Sequence, residues 1–279
     1  MSTTTMRRFA VAVSLLLGLS AEAAERRPRI LLSNDDGITA PGLSAAYAEL
    51  VKLGEVTVAA PADNQSGVGH GITYIEPIMM RTIEPLVKTD TPQGPWYRIS
   101  AKPATCVRLA LSALLPEKPD LVVSGINRGD NAGLVVYVSG TVGAAREAAF
   151  DGIPAIASSL VTSPKMDYAP GAAILGRVAA ETLKRGLPKG TLLSLNFPGQ
   201  EIRGIRIVPH SLSNGVNSYD RRESPEHQIY FWNVWTSPAD LDPGTDAGAL
   251  REGYATITPL RIDVNDSDAR KTIEAWGLR

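Results

Sequence analysis

Cysteine is almost absent from this chain, which has one, Cys106, in 279 residues. A single cysteine cannot form an internal disulfide, so the protein must depend on an ordinary packed core. Cys106 lies among apolar residues at helical spacing, and we interpret it as a small buried side chain rather than a nucleophile. Histidine is also scarce, since His70, His210 and His227 are the only three and none has zinc-motif spacing. The composition therefore argues against a zinc site of Cys and His.

An excess of charge of either sign is also missing, because 28 Lys and Arg face 29 Asp and Glu without an evident basic cluster. Nothing in this balance of charge predicts a surface for the phosphate backbone of DNA or RNA, and it does not exclude the binding of a small anionic ligand. After residue 19 no apolar run is long enough to cross a bilayer, so we expect no membrane span.

An uncharged, mostly apolar segment, residues 9–19, follows Arg7 and Arg8 and precedes Ala21-Glu22-Ala23. A basic start, a short apolar stretch and small residues at cleavage spacing are typical of a signal peptide. We predict a signal peptide over residues 1–23 and an exported mature chain, periplasmic in a host with two membranes. A buried N-terminal helix is the less favoured interpretation of these residues. The sequence does not decide between the Sec and twin-arginine export routes.

Apolar strand candidates alternate with helical segments through most of the mature chain, which we treat as one domain over residues 24–279. The predicted strands are 29–33, 55–60, 120–124, 153–160 and 191–197, and the predicted helices are 41–53, 103–115, 141–150 and 168–185. This alternation predicts an α/β fold, a Rossmann-like three-layer sandwich with a mainly parallel sheet, over about residues 24–200. Strands without helices at 204–209, 228–235 and 254–260 predict a β-rich, hairpin-containing extension over about 201–279.

Two adjacent carboxylates, Asp35 and Asp36, follow the first strand in the run Ser33-Asn34-Asp35-Asp36-Gly37. In open α/β sheets, ligands bind at the carboxyl ends of strands, and neighbouring aspartates repel each other unless a cation lies between them. A solvated Asx turn before a helix is the alternative interpretation of an isolated Asn-Asp-Asp-Gly.

Polar loops also follow the next strands of the predicted parallel sheet, and they contain Ser66 and Asn127. If these strands are parallel to the first, Asp35, Asp36, Ser66 and Asn127 converge on one ion. Carboxylate, hydroxyl and amide oxygens favour a hard divalent cation such as Mg²⁺, Mn²⁺ or Ca²⁺.

A helix opening at Ser139-Gly140-Thr141 offers backbone N–H groups and two hydroxyls for an anion. A simple Ser/Thr N-cap explains the same residues when they are taken alone, but beside a metal they predict a phosphate cradle. His70, in Gly69-His70-Gly71, is a weak candidate for protonating a leaving group, and as a lone histidine it also fits an ordinary surface loop.

Together these motifs closely resemble the SurE family over nearly all of the mature chain. The resemblance rests on residues 30–42, 64–67, 124–133, 139–142 and 253–260. It implies a divalent-metal-dependent 5′/3′-nucleotidase that hydrolyses nucleoside monophosphates, with one metal ion per subunit, Mg²⁺ or Mn²⁺. It also implies a homodimer or tetramer whose C-terminal extension is exchanged between subunits.

Residue by residue, the resemblance places the metal ligands at Asp35, Asp36, Ser66 and Asn127, and phosphate contacts at Asn64, Ser139, Gly140 and Thr141. We assign the catalytic role to Asp35, Asp36 and Asn127. The alternative function is a non-catalytic, metal-dependent nucleotide- or phosphate-binding protein of the periplasm.

Departures from the family pattern surround this ligand set. Where the family has Asp-Arg-Asn-Arg-Ser-Gly, this chain has Ala62-Asp63-Asn64-Gln65-Ser66-Gly67, without either arginine. We therefore expect hydrolysis of monophosphates with little activity on longer phosphate chains. The aromatic run from Tyr230 to Trp235 is too apolar for a small hairpin alone, so we also expect this segment to pack on a second subunit.

Overall fold

The computed structural model describes residues 26–213, 216–236, 238 and 240–278. The predicted signal peptide, residues 1–23, lies outside these described residues. Within the described part of the chain, no helix combines the length and the apolar character needed to cross a bilayer.

Eleven strands are described, nine of which form one central sheet in the order β3-β4-β2-β1-β5-β6-β7-β11-β8. In chain order they are β1 (Arg29–Ser33), β2 (Glu55–Pro61), β3 (Met80–Ile83), β4 (Trp96–Ile99), β5 (Leu121–Arg128), β6 (Ala155–Leu160), β7 (Thr191–Phe197), β8 (Ile205–Ile207), β9 (Val216–Glu223), β10 (Ile229–Thr236) and β11 (Ala255–Arg261). The sheet is parallel except where β3 pairs with β4 and where β11 pairs with β7. Strands β9 and β10 form a separate antiparallel hairpin.

Helices cover both faces of the sheet, because its central strands are apolar on both sides. The helices are α1 (Pro41–Leu50), α2 (Pro103–Leu109), α3 (Gly140–Phe150), α4 (Ala169–Arg185), α5 (Asp246–Arg251) and α6 (Ser267–Glu274). Ile30 and Leu32 of β1 pack in the cluster that includes residues of α1 and α4. Leu31, which points to the opposite face, packs with residues of α2 and α3. The fold is therefore the predicted Rossmann-like three-layer α/β sandwich.

The strongly apolar elements lie close to their predicted positions, with shifts of a few residues at their ends. Strand β5 is the important exception, since it continues past the predicted end at Ser124 as far as Arg128. Its pairing with β6 is irregular between Ser124 and Asn127, so Asn127 stands at the end of a strand rather than in a loop. Cys106 is buried in α2, as predicted, and burial raises the pKa of its thiol.

Beyond residue 200 the structure differs in part from the predicted β-rich extension. Strands β8 and β11 join the central sheet, and the short helices α5 and α6 were not predicted. Of the described strands, only β9 and β10 lie outside the central sheet, and every residue of β10 is exposed. The antiparallel C-terminal strands thus extend the Rossmann-like core rather than following it as a separate unit.

Candidate functional site

Three polar loops meet at one edge of the sheet because β2, β1 and β5 are neighbouring parallel strands. The loops are also joined directly by backbone hydrogen bonds. Gln65 N donates to Asp35 O at 2.7 Å, and Arg128 N donates to Asp36 Oδ2 at 2.8 Å. The convergence predicted for the loops that contain Asp35, Ser66 and Asn127 is thus the observed arrangement.

Asp35 lies against the first turn of α3 and is 3% exposed. Thr141 Oγ1 donates to Asp35 Oδ1, and Gly140 faces the same carboxylate, since a Cβ built there would be 2.9 Å from Asp35 Oδ2. Burial raises the pKa of Asp35 to about 6, and the charge of Asp36 adds to the increase, while the Thr141 hydrogen bonds oppose it. Burial and the neighbouring charge destabilise the ionised form of Asp35, and a bound cation would offset that destabilisation.

Asp36 is half-buried beside it and accepts the hydrogen bond from Arg128 N. Its pKa is also raised, chiefly by burial, and the N–H group and charge of Arg128 offset part of the increase. Asn34 holds the turn that follows β1, because its Nδ2 donates to Gly37 O at 2.8 Å and Gly37 has a φ of +100°. Asn34 is buried and its Oδ1 accepts no hydrogen bond from a described residue, so this turn is not the solvated Asx turn of the alternative interpretation.

Asn127 and Ser66 supply neutral oxygens on either side of the aspartates. Asn127 is 7% exposed, and its Nδ2 donates to Gly129 O at 2.7 Å, so its Oδ1 is the atom that can accept from or bind a ligand. Ser66 is exposed, and its N–H donates to Asn64 Oδ1 at 2.9 Å. That bond leaves Nδ2 of Asn64 as a donor for an anion.

Among the described residues, no group of three or more His, Cys, Asp and Glu side chains could hold a metal ion. A metal at this edge would therefore have two carboxylates and neutral oxygens as its protein ligands. The donor set of Asp35, Asp36, Asn127 and Ser66 fits a hard divalent cation, because all four atoms are oxygens and the adjacent carboxylates carry raised pKa values.

The two hydroxyl residues of the predicted phosphate cradle, Ser139 and Thr141, make different contacts in the structure. Ser139 caps α3, since its Oγ accepts from Val142 N at 3.1 Å, and its hydroxyl proton remains to donate to an anion. Thr141 instead directs its hydroxyl to Asp35. Sequence reasoning treated Thr141 only as a phosphate contact and missed its contact with Asp35, because no local pattern links residues 106 positions apart.

His70 lies away from the carboxylates and binds Glu147 on α3. His70 Nε2 donates to Glu147 Oε2 at 2.7 Å, Arg108 Nε donates to Oε1 at 2.6 Å, and the His70 ring stacks on Phe150. Burial raises the pKa of Glu147, but the two hydrogen bonds outweigh burial and hold it below its usual range. Glu147 is roughly 10 Å along α3 from Gly140, so these contacts make His70 an anchor for its loop rather than a proton donor at the carboxylates.

A cavity of about 930 Å³ opens beside these loops and reaches the β9–β10 hairpin. Gly67, Gly129 and Val138 line it, and each is within two residues of a predicted ligand or phosphate contact. Asp130 and Trp235 also line the cavity. Neither was predicted as a site residue. The position of Asp130 shortly after Asn127 is the one sequence signal that could have indicated a role for Asp130.

Comparison with known proteins gives consistent matches along the chain. A family model described as Survival protein SurE matches residues 30–216. The 5′-nucleotidase SurE of Rhodopirellula baltica is 41% identical over 257 residues, which are 90% of this chain and 99% of the relative. The 5′-nucleotidase SurE of Chlorobaculum tepidum is 40% identical over 258 residues, 91% of this chain and 96% of the relative.

Among solved structures, the SurE protein of Aquifex aeolicus superposes with a TM-score of 0.78 at 35% sequence identity. The match covers 90% of this chain and 100% of the Aquifex chain. The likeness therefore includes the C-terminal strands as well as the parallel core.

Proposed function

This chain belongs to the SurE family, and from that premise we propose that it is a divalent-metal-dependent phosphomonoesterase that hydrolyses nucleoside 5′- or 3′-monophosphates. The observation that carries the proposal is the pair of carboxylates at the sheet edge, one of them buried against a helix N-terminus. Relatives of about 40% identity that bear the name 5′-nucleotidase support the substrate class.

In this proposal Asp35, Asp36, Ser66 and Asn127 hold one Mg²⁺ or Mn²⁺ ion per subunit. A bound divalent ion supplies Lewis-acid polarisation of a phosphate oxygen and lowers the pKa of a bound water. The protein fixes the ligand geometry, since Thr141 orients Asp35 and Gly129 O orients the Asn127 amide.

The phosphate lies between this ligand set and the start of α3. Ser139 donates its hydroxyl proton, Asn64 donates through Nδ2, and the first N–H groups of α3 favour negative charge. Gly140 has no side chain, which leaves room for a close approach to Asp35. Asp35 or Asp36 also accepts a hydrogen bond from the attacking water and directs it to phosphorus.

We extend the proposal to assembly and location. The β10 side chains alternate, so Asn233 and Trp235 line the cavity while Tyr230, Trp232 and Val234 are on the opposite face. Trp232 is 57% exposed, and an uncovered face of this kind suits a second copy of the chain, giving a homodimer. The basic, apolar and small-residue pattern of residues 1–23 supports export to the periplasm.

Phosphate release from a panel of mononucleotides tests the function. Chelator-treated protein should release phosphate from 5′-AMP or 3′-AMP only after Mg²⁺ or Mn²⁺ is added back. Asp35→Asn should lower turnover at least about a hundredfold, because it removes a ligand charge. Asp151→Asn, an exposed carboxylate at the C-terminal end of α3, is the matched control and should retain activity. Tight nucleotide binding without any turnover would favour the non-catalytic alternative.

A further inference from the structure

The cavity beside the metal and phosphate loops is much larger than a phosphate group requires. Its volume of about 930 Å³ is at the upper end of small-molecule pockets, which span about 300–1,000 Å³. One end is formed by Gly67, Gly129 and Val138, next to Ser66, Asn127 and Ser139. The other end is formed by the hairpin and α5. A substrate with its phosphate at the loops therefore has room to extend its leaving group into this cavity.

Asp130 stands near the phosphate end of this cavity. Among the described residues that line the cavity it is the one carboxylate, and no hydrogen bond or ion pair joins its side chain to another residue in the described ranges. Although the residue is exposed, surrounding protein groups desolvate its carboxyl and raise its pKa, and Asp246 adds to the increase. Its own backbone N–H donates to this carboxylate, and the remaining oxygen lone pairs can accept hydrogen bonds from ligand hydroxyls.

Aromatic side chains stand at the far end. Tyr219 and Trp235 line the cavity from the paired strands β9 and β10, and Trp235 is 47% exposed. Apolar side chains, Val135 and Val161 among them, also line the cavity. A planar base can stack on such aromatic groups.

From this set of groups we propose that the cavity is a ribonucleoside subsite for nucleoside 5′-monophosphates, in which Asp130 accepts hydrogen bonds from the ribose 2′- and 3′-hydroxyls and Trp235 stacks on the base. The assignment rests on the proposed function and extends it, because it names which nucleotides the site prefers. A carboxylate binds a vicinal diol through both oxygens, and a 2′-deoxyribose lacks one of the two hydroxyls. Nucleotides with ribose are the preferred substrates over 2′-deoxynucleotides.

Nucleoside binding tests the subsite separately from catalysis. Adenosine has no phosphate, so its affinity for chelator-treated protein, measured by calorimetry, depends on the cavity alone. Adenosine should bind about tenfold more tightly than 2′-deoxyadenosine, the factor expected for one hydrogen bond to a charged acceptor. Asp130→Asn should reduce that ratio to near one, while the matched control Asp151→Asn, an exposed carboxylate at the end of α3, should keep it.

Tryptophan fluorescence tests the aromatic end. Adenosine should quench the emission of the natural protein, and Trp235→Phe should remove most of that quenching while circular dichroism stays the same. Equal affinities for adenosine and 2′-deoxyadenosine in the natural protein, or a ratio unchanged by Asp130→Asn, would overturn the subsite.

Kinetics then separate this inference from the function on which it rests. In the natural protein kcat/KM should favour AMP over dAMP about tenfold, and Asp130→Asn should lower the ratio through KM. Phosphate release from AMP and dAMP at equal kcat/KM would refute the subsite and keep the nucleotidase. No phosphate release from any mononucleotide would refute the nucleotidase, whatever the affinity for adenosine.

Discussion

Asp35→Asn is expected to stabilise the metal-free protein at neutral pH while it abolishes turnover. Burial raises the pKa of Asp35 from 3.8 to about 6, a difference of about two pKa units. At about 1.4 kcal/mol per unit, the folded metal-free protein loses about 3 kcal/mol of stability when this group ionises. The asparagine avoids that cost, but it forms a weaker hydrogen bond with Thr141 and places an amide beside Gly140. A net gain of about 1–2 kcal/mol remains.

The pH dependence has a definite direction. Because the folded-state pKa is raised, the folded protein holds the Asp35 proton more tightly than the unfolded chain does. The stability from this group is present below about pH 4 and is lost as the pH rises through about 6. The advantage of Asp35→Asn should therefore be largest above pH 6 and should shrink toward zero near pH 4.

Thermal unfolding in chelator at pH 7.5 and pH 4.5 measures this effect. For a domain of this size, about 1–2 kcal/mol corresponds to an increase in Tm of about 2–8 °C at pH 7.5. Asp63→Asn is the control, since its side chain is 81% exposed and its ion pair to Arg98 is long at 3.5 Å. A destabilised Asp35→Asn protein at pH 7.5, or a Tm difference independent of pH, would refute the electrostatic reasoning.

Three further outcomes are expected, for metal binding, substrate selectivity and assembly. Because a metal must displace the Asp35 proton, the calorimetric Kd for Mn²⁺ should rise about tenfold per pH unit below about pH 6, and a Kd constant from pH 7 to pH 5 would contradict this. The natural protein should hydrolyse AMP but little ATP, and Asp63→Arg/Gln65→Arg should raise the ATP/AMP ratio of kcat/KM about tenfold; an unchanged ratio would show that the missing arginines do not set selectivity. Light scattering should give a dimer at micromolar concentration and a shift toward monomer in Trp232→Ser, whereas a monomeric natural protein would refute the proposed interface.

The fold could be predicted where buried parallel strands alternate with helices. The run from Ile30 to Ser33 is apolar on both faces, and that pattern arises from packing against helices on two sides. Strands β3 and β4 were missed because they are four residues each; β3 is an edge strand with mostly exposed side chains, and β4 beside it buries only Trp96 and Ile99. The short helix α5 was missed because its few residues carry little periodicity.

The loops of the candidate site were predictable from the sequence, and the contacts within it were less so. Asp35 and Asp36 follow directly from a strand end, which is a local property of the sequence. The hydrogen bonds from Thr141 to Asp35 and from His70 to Glu147 join residues far apart in the chain, and only the packing of α3 brings them together. Asp130 becomes a candidate binding residue only because it lines the cavity, and no sequence pattern describes that cavity.

A combined metal titration tests the central claim most directly. Mn²⁺ is added stepwise to chelator-treated protein, and the heat of binding and the rate of phosphate release from 5′-AMP are recorded at each step. The account predicts one ion per chain, a release rate proportional to occupancy, and loss of both signals in Asp35→Asn. Phosphate release at full rate before any ion is bound, or an unchanged isotherm in Asp35→Asn, would contradict it.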